Sequence, residues 1–181
     1  MKAFRWLVGR KYRLDLVAGF CDGILTALTL AAGKILDSHA SMSAGLPLRV
    51  ATAAAISGAF IVFVAHYAEL RGELLEAEKQ LNLTTHGRLA KSRLGRAVLF
   101  ESMIGASVAS LCGFWGAWIP LLIAVLVPAA PWLGMVVALA ALAVLGVFLA
   151  ITVHGRPFRW AGSLVLSGGI LAYLGMYLRL I

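Results

Sequence analysis

Residues Leu46–Gln80 read LPLRVATAAAISGAFIVFVAHYAELRGELLEAEKQ, and this stretch decides the fold. Its first part, Leu46–Ala68, is an apolar run long enough to cross a bilayer as a helix, which takes about 20 residues. It passes without a break into Glu69–Gln80, which is rich in acids. Gly72 is the one weak point, and a glycine lowers helical propensity by only about 1 kcal/mol. The spacing therefore predicts one helix that crosses a membrane and emerges into water.

Outward from this helix, four more apolar segments fall at Leu14–Leu36, Ala97–Ile119, Trp132–Val153 and Trp160–Leu180. None alternates as a barrel strand would. The composition agrees: of 181 residues 61% are hydrophobic and 13% charged, where a soluble domain carries about 25% charged residues. The expected fold is an all-α integral membrane protein of five transmembrane helices. Residues 1–13 form a basic interfacial segment, 14–68 the first two spans, 69–96 a short acidic helix and basic linker, and 97–181 the last three spans. The connection after the third span is expected around Pro120–Pro131.

The net charge of +8 would point to nucleic acid in a soluble protein. Here the basic residues sort by loop instead, so nucleic acid is not an expected partner and membrane lipid is. Lys2, Arg5, Arg10, Lys11 and Arg13 precede the first span. Arg71, Lys79, Arg88, Lys91, Arg93 and Arg96 lie between the second and third, and Arg156 and Arg159 between the fourth and fifth. The other two connections carry none, which predicts a cytoplasmic amino terminus and an outer carboxyl terminus. The first apolar run is too long for a signal peptide and carries Asp22 and Lys34, so no cleavage is expected. Phe4, Trp6 and Leu7 fit a short interfacial helix, and Lys34 can snorkel to the outer interface. Cys21 and Cys112 lie in apolar runs, where packing rather than a disulfide is expected.

Two constellations carry chemistry. In the first span Asp15, Gly19, Asp22, Thr26, Thr29 and Gly33 follow steps of four and three, and so share a face. An aspartate as deep as Asp22 costs a few kcal/mol to insert, which marks it as a functional candidate. One reading makes the stripe a cation path, with Asp22 as ligand or proton carrier and Asp15, Thr26 and Thr29 along it. The other makes it a tight helix–helix contact. After the second span His66, Glu69, Glu73 and Glu76 share a helix face, while Glu78 points away. Carboxylates with one imidazole suit Fe²⁺ or Mn²⁺ better than a soft ion. A single face cannot enclose a metal, so a second helix or subunit has to complete such a site. The alternative is a solvated helix whose acids pair with Arg71, Lys79 or Arg88–Arg96. Glu101, near the start of the third span, either faces the acidic helix or stays among the headgroups. His39, His86 and His154 form no spaced ligand set, and no phosphate loop, nucleophile elbow, CxxC or HExxH occurs, so no enzyme and no resident cofactor is expected.

The segment Asp22-Gly-Ile-Leu-Thr-Ala-Leu-Thr-Leu-Ala-Ala-Gly resembles the first-span motif of the vacuolar iron transporter family. The acidic continuation of the second span, the ending Gly116-Ala-Trp-Ile-Pro-Leu-Leu, and the glycines at 162, 168, 169 and 175 are also similar to that family. The resemblance implies a homodimer with the path between subunits, exporting Fe²⁺ or Mn²⁺ from the cytoplasm in exchange for protons. It places Asp22 on the path and Glu69, Glu73 and Glu76 as metal collectors. The second span lacks the methionine that family members often place there, and Asn82–Arg96 carries no acid. These departures motivate an alternative: a non-transporting structural or assembly subunit of a larger membrane complex. Short loops and an Ala/Arg-rich composition point to a bacterial inner membrane rather than an organelle.

Overall fold

The computed structural model describes residues 12–35, 45–80, 93–127, 130, 132–153 and 155–177. They form five α-helices: α1 (Arg13–Ile35), α2 (Leu46–Gln80), α3 (Arg93–Leu126), α4 (Trp132–Val153) and α5 (Pro157–Tyr177). All five are long and apolar enough to cross a membrane. The expected interfacial helix, His39, His86 and His154 lie outside the described residues.

At 1.5 Å per residue, the 35 residues of α2 reach about 52 Å, against a hydrocarbon core of about 30 Å. The helix runs through Gly72 into the acidic stretch, as the sequence predicts. Two boundaries differ from expectation. Residues 93–96, expected in the linker, open α3, because Arg and Leu are strong helix formers. Pro120, expected in the following loop, lies inside α3, which continues to Leu126. A proline removes one helical donor and crowds the preceding turn, but membrane helices tolerate this where neighbours pack closely. Here Gly134 of α4 supplies that closeness: a Cβ on it would stand 3.0 Å from the Pro120 carbonyl oxygen. Proline also opens α5, at Pro157, where its missing N–H would have no helical partner in any case.

The first helix is the hub and touches each of the other four. Its backbone meets α3 most closely. A Cβ on Gly19 would collide with the Ala109 backbone, and one on Gly23 with the backbone of Gly113 and Ala117. Gly116 of α3 returns the contact, with its Cβ position 2.9 Å from the Phe20 carbonyl oxygen. Small residues on both helices thus permit a packing that no larger side chain would allow. On the other side of α1, Ile24, Leu28 and Ala32 form a core with Ala138, Leu142 and Ala172 of α4 and α5. The second helix leans mainly on α3, through Ala51, Ala54 and Ala117. It meets α1 along a narrower seam, and that seam carries the polar residues.

Candidate functional site

Of the stripe predicted on the first span, Asp15 and Asp22 lie along the α1–α2 seam, whereas Gly19 meets α3 and Thr29 meets Gly175 of α5. At the end where α1 begins, Asp15 is 5% exposed, and its Oδ1 stands 3.0 Å from His66 Nε2 of α2. Gly105 of α3 closes the third side: a Cβ there would lie 3.0 Å from Asp15 Oδ2 and 3.4 Å from His66 Nδ1. Three helices therefore converge on one carboxylate. Asp15 Oδ2 is buried and accepts no hydrogen bond from any described residue. A buried acceptor left in this state costs about 1–3 kcal/mol, and more when charged.

Seven residues further along α1, about 10 Å deeper, Asp22 lies exposed on the flank of the chain. Its near neighbour on α2 is Gly58, whose Cβ position is 3.2 Å from Asp22 Oδ2. The missing side chain at 58 gives the carboxylate room. The threonine hydroxyls are turned back on their own helix: Thr26 Oγ1 donates to the Asp22 carbonyl at 2.9 Å and Thr29 Oγ1 to the Thr26 carbonyl at 3.0 Å. Their lone pairs remain available as acceptors. Gly19, placed in the same stripe by its spacing, serves the α1–α3 contact instead. The close-packing reading of the stripe thus holds for Gly19, while Asp15 and Asp22 face α2.

The acidic ladder divides in a similar way. Glu69, Glu73 and Glu76 are exposed on α2, whereas His66 is half-buried against Asp15. Glu69, one turn beyond His66, is near enough for its charge to act on Asp15. Arg71 does not neutralise the ladder: its Nη1 donates to the Tyr67 hydroxyl at 2.8 Å and its guanidinium lies over the same ring. Among the described residues, no three His, Cys, Asp or Glu side chains converge to hold a metal. Glu78, which points away from the ladder as its position predicts, is 2% exposed. Glu101 is half-buried on α3, one turn before Gly105 and so on the same side of that helix. Cys21 and Cys112 are free thiols.

The seam contrasts with an apolar recess of about 640 Å³ between α1, α3 and α4, lined by residues such as Phe20, Ile24, Trp115, Ile119 and Phe148. That recess is lined by apolar side chains, whereas the seam carries Asp15, His66 and Asp22. The Asp15–His66 contact is what the sequence reading missed. In the sequence one residue belongs to the polar stripe and the other to the acidic face, and no spacing rule connects positions 51 residues apart. No protein-family model, curated protein or solved structure matches the chain.

Proposed function

We propose that the chain is a divalent-metal carrier, moving Fe²⁺ or Mn²⁺ out of the cytoplasm against protons, as the resemblance to the vacuolar iron transporters implies. The observation that carries this reading is Asp22: a carboxylate about ten residues into α1, exposed beside Gly58 rather than enclosed by its own chain. A charge at that depth is costly facing lipid and is ordinarily turned to a protein interior or a watered path. A second copy across the seam would cover it and complete the ligand shell that one helix cannot supply. Glu73 and Glu76 then meet the cation in the cytoplasm, Glu69, His66 and Asp15 stand at the mouth, and Asp22 takes it within the membrane. Thr26 and Thr29 offer lone pairs beyond it, and Glu101 flanks the mouth from α3.

The test is Mn²⁺ and Fe²⁺ uptake into proteoliposomes under an imposed pH gradient. Wild-type flux should require the gradient, and Asp22→Asn should abolish it. Undiminished flux in that variant would refute the mechanism. The lack of a methionine in Leu46–Ala68 and of any acid in Asn82–Arg96 motivates a second reading, the non-transporting subunit. Stable co-purification of other subunits, with no flux from a folded preparation, would support it.

A further inference from the structure

We infer that Asp15 of α1 and His66 of α2 together form a seat for the divalent cation at the mouth of the seam, distinct from Asp22. The inference rests on the metal-carrier reading and adds a location, a ligand pair and a nitrogen donor to it.

Three observations support it. The first is geometric: His66 Nε2 and Asp15 Oδ1 stand 3.0 Å apart. Two ligands at right angles around a divalent ion, each at about 2.1 Å, are separated by roughly the same distance. An ion can therefore bridge the two atoms with little movement of either helix, and the neutral imidazole binds it as the Nδ1–H tautomer. A hydrogen bond alone would account for this distance equally well. It would not account for the second observation, Asp15 Oδ2, which is buried without a donor from any described residue. A carboxylate with one oxygen engaged and the other unmet is poised to swing onto a cation with both.

The third observation is the surroundings. Gly105 faces Oδ2 and Nδ1 from α3 with a hydrogen where other residues carry a Cβ, which leaves the carboxylate room to turn. The His66 side chain is 27% exposed, so an ion can reach the pair along the seam. Glu69 adds a negative charge close to Asp15 on the side that leads to the acidic ladder. One imidazole with carboxylate oxygens selects an ion of intermediate hardness, Mn²⁺ or Fe²⁺, over Ca²⁺.

The experiment is electron spin-echo modulation of Mn²⁺ bound to the purified full chain. The signal reports a directly ligating nitrogen, which a purely structural role for the pair would not produce. Wild type should show nitrogen modulation, and His66→Gln should lose it. Asp15→Asn should weaken Mn²⁺ binding about tenfold or more. Gly105→Ala keeps both ligands but crowds Oδ2, and should also weaken binding about tenfold in a chain that remains monodisperse. Asp22→Asn should retain the modulation, which separates this seat from the transport step. If that variant loses flux but keeps the signal, both proposals stand. If wild type carries Mn²⁺ but bound Mn²⁺ shows no nitrogen, the seat is refuted while transport is untouched. Absence of bound Mn²⁺, or nitrogen modulation that survives in His66→Gln, refutes it as well.

Discussion

At the scale of single residues, the glycines divide by what faces them. Gly23 lies against the α3 backbone, which cannot give way, whereas Gly162 has nothing within 4 Å. Gly23→Val should therefore destabilise the bundle by about 1–3 kcal/mol or more through overpacking, and Gly162→Ala should be close to neutral. Thermal unfolding of the two variants in detergent checks this. An unchanged midpoint for Gly23→Val would mean that α1 and α3 can separate by the width of a side chain. Which glycine is which was not legible in the sequence. Gly162, Gly168, Gly169 and Gly175 look alike in the last span, yet Gly168 meets Leu142, Gly175 meets Thr29, and the other two meet nothing. The same holds for the polar stripe: its common face follows from helical periodicity, but whether Asp15 or Asp22 is enclosed depends on where α2 crosses α1.

At the scale of elements, the existence of all five helices and the length of α2 were legible, because apolar runs of this length have few alternatives in a bilayer. The ends were less so. Pro120 reads as a stop by the rules of helices in water, yet α3 passes through it because α4 packs against that turn. Gly72 reads as a weak point, and the structure makes it a useful probe. It lies on the emergent part of α2 with nothing within 4 Å, so an added methyl meets no obstacle. Gly72→Ala should stabilise this part by up to about 1 kcal/mol, which corresponds to amide exchange slowed about fivefold across the Glu69–Gln80 stretch. Unchanged exchange would indicate that contacts outside one chain, rather than propensity, hold the acidic helix in place.

At the scale of the whole molecule, the bundle is asymmetric. The first helix touches all the others, while α2 keeps Ile56, Phe60 and Ile61 exposed. Asp22 lies exposed at the α1–α2 seam. Lipid can cover the apolar side chains but not the carboxylate, so the chain should associate as a pair through α1 and α2. Light scattering in mild detergent should give a protein mass of twice 19.2 kDa, and Asp22→Leu should shift the balance between one and two chains. A wild-type preparation that is monomeric throughout would require Asp22 to be covered by another protein.

The hub position of α1 also sets an order of events during synthesis. The partners of Asp15 come late: His66 follows it by 51 residues and Gly105 later still. At about 5–20 residues per second, roughly 3–10 s pass between the emergence of Asp15 and that of its imidazole partner. During that interval the first span enters the bilayer with Asp22 within its apolar run and its own cations, Arg13 and Lys34, only at its two ends. The helix inserted first is thus the one completed last, and a ribosome that stalls before the second span leaves behind a segment whose retention in the membrane depends on whatever helper holds nascent polar helices.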